Sequence, residues 1–237
     1  MKSRRELNTV LYISVSYGNY IGGGGGTDKA ILTQQIEFNK KRISLLHICP
    51  GNNHMEEKIK LWRVVIDGKK QGFFTSNHLL VYLSKLKQRG HVFAGCLIHH
   101  LLKIDIPEFE KIYCRIDCKK IWFIHDYYTI CPTGGLIKNE EVYCGLGFPC
   151  EKKCVGCRKY SEKTLDRLEC IRKLWKMGEE IEFVAPSQKA AEIWKEHYPE
   201  YESKIKVIPH QKLCGSYKGN KEYIGVDEPI KVAFIGY

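Results

Sequence analysis

A histidine and an aspartate stand together at His125-Asp126, directly after the apolar run Ile121–Ile124. An imidazole donates or accepts a hydrogen bond near neutral pH, so His125 can meet a substrate hydroxyl. A structural histidine bonded to its neighbouring loop is the alternative. His99 and His100 also follow an apolar run and pose the same choice. We take His125 as the candidate catalytic residue, with Asp126 and His99 as candidate binding residues.

A run of glycines precedes Thr27 in the first part of the chain. Glycine lets the backbone approach a ligand closely, and the N-terminus of a following helix presents free N–H groups to an anion. No Gly-Lys-Ser/Thr follows, and the third glycine of a dinucleotide fingerprint is missing. A flexible turn is therefore the alternative. The predicted phosphate-binding residues are Gly23, Gly24, Gly25, Gly26 and Thr27.

Cysteines cluster after residue 130. Cys154-Val155-Gly156-Cys157 is a CxxC sequence, and Cys131 and Cys144 precede it. Four thiolates at tetrahedral positions are a structural zinc site, so we predict zinc on Cys131, Cys144, Cys154 and Cys157. Only one CxxC is present and the upstream spacing is irregular. Chance clustering and a redox-active pair remain alternatives.

The elements that would position these residues alternate along the chain. The predicted strands are Val10–Ser16, Arg42–Cys49, Leu61–Ile66, His91–His99, Lys120–His125, Ile181–Ala185, Ile205–Pro209 and Ile230–Ile235. The predicted helices are Thr27–Asn39, Asn77–Gln88, Pro107–Cys114, Lys163–Lys176 and Ser187–Glu196. This alternation predicts an α/β, Rossmann-like parallel sheet with helices on both faces. Ligands bind beyond the carboxyl ends of such strands.

Composition narrows the class of protein. The 237 residues are 43% hydrophobic, and the longest apolar windows fall short of the roughly 18 residues that a membrane helix needs. Basic residues near the N-terminus lead into a broken apolar run with no cleavage site, so we reject a signal peptide and expect a cytoplasmic protein. The basic residues behind the net charge of +11 are scattered along the chain. They form no basic stripe with interleaved aromatic residues, which argues against nucleic acid as a partner.

The end of the sequence predicts a second domain. Residues 1–214 would form the first domain and residues 215–229 a polar linker. Ile230–Gly236 has the composition of a buried strand, and we expect it to open another βαβ domain that continues beyond this sequence.

The order of these motifs resembles one family. His125-Asp126-Tyr127-Tyr128-Thr129-Ile130-Cys131-Pro132, then Cys144 and the CxxC, is similar to the acceptor domain of family 4 glycosyltransferases of the GT-B fold. The segments Ile98–Leu101, Val184–Ser187 and Val207–His210 follow the same order, so the resemblance covers nearly the whole chain. Two departures affect acceptor detail: Gly24–Asp28 replaces Gly-Gly-Ala-Glu, and His210-Gln211 replaces Asn-Gly.

The resemblance implies transfer of a sugar from a nucleotide-sugar donor to an acceptor hydroxyl, with retention of configuration and no metal required for catalysis. His125 would contact the transferred sugar or position the reacting groups, and the glycine run would lie near the donor diphosphate and the acceptor. The acceptor would be a glycan or a lipid-linked molecule in cell-surface polysaccharide synthesis, with peripheral contact to the inner membrane face. Basic residues and a Glu-x7-Glu motif of the second domain would stabilise the leaving diphosphate, so this segment alone is expected to be inactive.

Two other hypotheses remain. A zinc-stabilised nucleic-acid-binding module would account for the positive charge and the cysteines. A nucleotide-dependent oxidoreductase would account for the glycine run alone, although the missing third glycine argues against it.

Overall fold

A computed structural model describes residues 7–139, 141–144, 154–178 and 180–209. The predicted linker at 215–229, the boundary at 214 and the predicted strand at 230–237 lie outside them. No helix in these ranges is both long enough and apolar enough to span a bilayer.

The fold is α/β. Its strands in chain order are β1 (Val10–Val15), β2 (Ile43–Pro50), β3 (Trp62–Ile66), β4 (Lys69–Phe74), β5 (Val92–Ile98), β6 (Lys120–Phe123), β7 (Ile137–Lys138), β8 (Val142–Tyr143), β9 (Ile181–Ala185) and β10 (Ile205–Val207). Its helices are α1 (Gly26–Lys40), α2 (Ser76–Gln88), α3 (Ile106–Tyr113), α4 (Glu162–Met177) and α5 (Gln188–His197), and a 3-10 helix spans Pro199–Lys204.

Eight strands form the main sheet, in the order β10-β9-β6-β5-β1-β2-β3-β4, while β7 and β8 pair separately. The strands from β10 to β2 are parallel to their neighbours. β3 and β4 are antiparallel and close one edge. The sequence correctly predicted a mostly parallel sheet, and every predicted strand and helix in the described ranges is present within two residues at each end.

The edge hairpin corrects one part of that prediction. Leu61–Ile66 was expected in a parallel unit, but β3 returns antiparallel to β2 and continues into β4, which was not predicted. β4 begins Lys-Lys-Gln-Gly, and lysines on an edge strand discourage pairing with another chain. The same polar residues leave β4 without the alternating apolar residues by which a strand is recognised in a sequence. The turn is Asp67-Gly68, with both residues at positive φ, the geometry of a tight hairpin.

Helices cover both faces of the sheet, as predicted. Alternate residues of β1 point to opposite sides: Leu11 and Ile13 join a large core that also contains buried residues of α2, α3, α4 and α5. Tyr12 packs on the other side with a smaller core that includes Ile31 of α1. This two-residue alternation is what a strand buried on both faces requires.

The order in which strands are added to the sheet reverses at β1. From β1 the chain builds outward through β2, β3 and β4, then crosses back so that β5 pairs with the opposite side of β1. Loops after β1 and β5 therefore diverge, leaving a crevice beyond the carboxyl ends of the two strands. Open α/β sheets bind their ligands at such a switch point.

Candidate functional site

Four predicted or candidate residues follow two neighbouring strands. His99 and His100 come directly after β5, and His125 and Asp126 lie two and three residues beyond the end of β6. β5 and β6 are parallel neighbours, so their carboxyl ends meet at one edge. The side chains consequently meet in two pairs across the gap between the strands.

The first pair is His99 with His125. Nδ1 of His99 lies 2.9 Å from Nε2 of His125, and the two rings stack with centroids 5.2 Å apart. The ring of His99 also stacks on Phe123 at 4.5 Å. His99 is only 3% exposed, whereas His125 is half-buried. His99 thus holds the ring of His125 in place through this pair. Its predicted role in binding a substrate stays a prediction.

The second pair is His100 with Asp126. The Leu102 N–H donates to Nδ1 of His100 at 3.0 Å, which leaves the ring proton on Nε2. That N–H donates to Oδ2 of Asp126 at 2.9 Å, and the Tyr128 N–H donates to Oδ1 at 2.8 Å. Burial raises the pKa of Asp126, but these hydrogen bonds and the neighbouring histidines outweigh it, so the pKa is lowered overall. Asp126 is therefore an ionised acceptor at neutral pH.

A cleft of about 520 Å³ joins this edge to the start of α1. Its lining residues are Gly26, Thr27, Lys29, Ala30, Thr33, His125 and Asp126. The structure thus brings four of the predicted site residues to one cavity, whose size suits a small ligand. The three others on α1, Lys29, Ala30 and Thr33, were missed, although they stand three, four and seven positions after Gly26, a spacing that puts them on the same helix face.

The glycine run itself is closed by a carboxylate. Oδ2 of Asp28 accepts from the Gly25 N–H at 3.3 Å, which caps the start of α1. A Cβ added to Gly23 would lie 2.1 Å from the same oxygen, so a larger residue there would have to displace the Asp28 carboxylate. A phosphate at the Gly25 N–H would have to displace this carboxylate. Phosphate binding by Gly23, Gly24 and Gly25 stays a prediction.

A buried histidine fixes the entry to the glycine run. His47 of β2 is 0% exposed. Its Nδ1 lies 3.1 Å from the Ser14 hydroxyl, and its Nε2 lies 2.9 Å from the Gly18 carbonyl oxygen. Burial lowers the pKa of His47 to about 4, although the bond to Gly18 opposes this. A neutral ring donating from Nε2 to the Gly18 carbonyl and accepting from Ser14 accounts for both contacts. Its signal in the sequence was a polar residue inside an apolar strand.

The four predicted zinc cysteines lie in the stretch of chain between β6 and α4. Cys131 and Cys154 are buried, and Cys144 and Cys157 are half-buried. The Cys157 N–H donates to the Cys154 carbonyl oxygen at 2.9 Å, which forms the turn of the CxxC. Among the residues described, no three or more His, Cys, Asp or Glu side chains are grouped as a metal site. Zinc at these thiols stays a prediction.

No family model and no curated protein matches the sequence. One solved structure with a similar fold is the catalytic domain of starch synthase IV from Arabidopsis thaliana, bound to ADP and acarbose. The two share 10% identity with a TM-score of 0.41, over 86% of this chain and 52% of that one. This chain therefore spans about half the length of that domain, and a likeness this weak carries no conclusion about function.

Proposed function

We propose that this chain is the acceptor-side domain of a GT-B glycosyltransferase. It would transfer a sugar from a nucleotide-sugar donor to an acceptor hydroxyl with retention of configuration. The observation that carries the proposal is the single cleft onto which His125, Asp126 and the first turns of α1 all face. The motif string around His125 and the position of the cleft beside the switch point of the sheet support it.

The residues of the cleft suit a sugar. Asp126 is an ionised acceptor: its oxygens accept from the His100 ring and the Tyr128 N–H, and because a carboxylate offers about four acceptor positions it can also accept from a hydroxyl. Thr27 and Thr33 bring hydroxyl groups that donate and accept, and Lys29 brings a cation. His125 stands at the same wall with its ring held by His99. A polyhydroxylated substrate needs such a mixture of donors and acceptors.

The reaction also needs positive groups beside the departing diphosphate, in addition to Lys29. A departing nucleoside diphosphate carries negative charge, and its stabilisation by fixed positive groups is the main electrostatic requirement. We assign that requirement to a second Rossmann-like domain, and the acceptor to a glycan or lipid-linked molecule used in polysaccharide synthesis. Catalysis by residues 1–237 alone is then not expected.

The test is a transfer assay on the chain joined to an intact donor-binding domain. Nucleotide sugars are supplied with a panel of glycan and lipid-linked acceptors, and the anomeric configuration of the product is read by NMR. The proposal expects a retained configuration that depends on this domain. An inverted product would remove the retaining mechanism, and the absence of both transfer and donor hydrolysis would remove the glycosyltransferase itself.

A further inference from the structure

One arginine ties together three segments at the edge of the site. Arg167 lies on α4, and its Nε donates to the hydroxyl of Tyr128 at 2.6 Å. One terminal nitrogen donates to the carbonyl oxygen of Leu101. The other lies 3.8 Å from the sulfur of Met55, in the loop after β2. The guanidinium therefore reaches the loops that follow β2, β5 and β6.

Two of these contacts connect Arg167 to the His100–Asp126 pair. Tyr128 donates its backbone N–H to Asp126, and its ring packs 4.8 Å from the ring of His100. The carbonyl of Leu101 precedes the Leu102 N–H that fixes the tautomer of His100. Arg167 thus holds the two backbone segments whose N–H groups orient the pair.

We propose that Arg167 is a positioning residue of the site, keeping Asp126 and His100 in register by clamping Tyr128 to Leu101. The proposal rests on the proposed function for its consequence, sugar transfer, but not for its geometry. A planar guanidinium has donors pointing in fixed directions, so it can serve the Tyr128 hydroxyl and the Leu101 carbonyl at once. A lysine in its place offers one flexible ammonium group and cannot hold both acceptors in the same geometry.

A second arginine on the same helix provides a matched control. Arg172 also directs its Nε at a tyrosine hydroxyl, that of Tyr198, at 3.3 Å. Tyr198 donates to the carbonyl oxygen of Thr129, beyond the Asp126 turn. Arg172→Lys therefore perturbs a similar arginine–tyrosine contact on α4, but Arg172 reaches the loop after β6 only through Tyr198 and makes neither of the contacts of Arg167 to Tyr128 and Leu101.

The first test needs no enzymatic activity. Histidine-ring ¹⁵N NMR of the full chain at neutral pH reports which nitrogen of His100 carries the proton. The wild type and Arg172→Lys should show the Nε2–H form, whereas Arg167→Ala should show a mixture of tautomers and Arg167→Lys a smaller admixture. An unchanged His100 in a folded Arg167→Ala would overturn the proposal. If that variant does not fold, Tyr128→Phe decides: it removes the hydroxyl partner alone and should also give a mixture of His100 tautomers, and a His100 spectrum that still shows the Nε2–H form alone overturns the proposal.

The second test measures the consequence in the chain joined to a donor-binding domain. Arg167→Lys should lower kcat roughly 10- to 100-fold, the range expected for one lost charged hydrogen bond, with little change in the KM for the donor. Combining it with Tyr128→Phe should cost no more than the larger single change, because both break one contact. Additive losses would contradict the clamp. A wild type without transferase activity would refute the proposed function, while the NMR result would still decide the role of Arg167.

Discussion

Acidification should destabilise the protein through the buried His47. His47 is fully buried between Ser14 and the Gly18 carbonyl, and its pKa falls from its ordinary value of 6.5 to about 4. A base whose pKa is lower in the folded than in the unfolded protein contributes its full stabilisation above about pH 6.5. That contribution is lost as the pH falls toward 4. At about 1.4 kcal/mol for each pKa unit, the full loss is about 3 kcal/mol.

The test compares the wild type with His47→Gln by urea unfolding, followed by tryptophan fluorescence. Glutamine can still donate to Gly18 but does not titrate. The quantity to compare is therefore the change in the free energy of unfolding with pH, and not its absolute value. Between about pH 7.5 and about pH 4.5, the wild type should lose about 2.5 kcal/mol more than His47→Gln. His78→Gln, at an exposed position on α2, should follow the wild type. Parallel pH dependences for the wild type and His47→Gln would refute the reasoning.

Two further predictions concern the glycine run and the cysteines. Gly23→Ala places a Cβ against the carboxylate of Asp28 and should cost about 1 kcal/mol in urea unfolding, the value of a lost helix cap, whereas Gly24→Ala has open space and should cost less; equal costs would contradict the packing. Elemental analysis of the purified chain should find about one zinc per molecule, lost in Cys154→Ser and kept in Cys118→Ser. A folded wild type free of zinc would reject the zinc prediction.

Much of the fold followed from the sequence because buried parallel strands and amphipathic helices have strong local patterns. The prediction failed at the edge hairpin, where β4 is exposed and rich in lysine and glutamine. Its pairing depends on the Asp67-Gly68 turn, which the sequence does contain and which a search for hairpin dipeptides would have found.

The site was predictable only in part. His125 and Asp126 follow a strand, and that position alone placed them at the carboxyl edge of the sheet, where ligands of such folds bind. The sequence could not show that His100 pairs with Asp126, since the two lie on separate loops brought together by the pairing of β5 with β6. Arg167 sits on a helix of ordinary composition, and its contacts reach residues far from it along the chain. No local pattern marks such a residue.

The most direct test of the account is the turnover of His125→Ala in the chain joined to a donor-binding domain. His125 lines the cleft beside Asp126, so its removal should lower kcat by roughly 100-fold or more if the sugar is transferred there. His78→Ala, an exposed histidine on α2, serves as the control and should keep full activity. Full activity in His125→Ala would show that the chemistry takes place elsewhere.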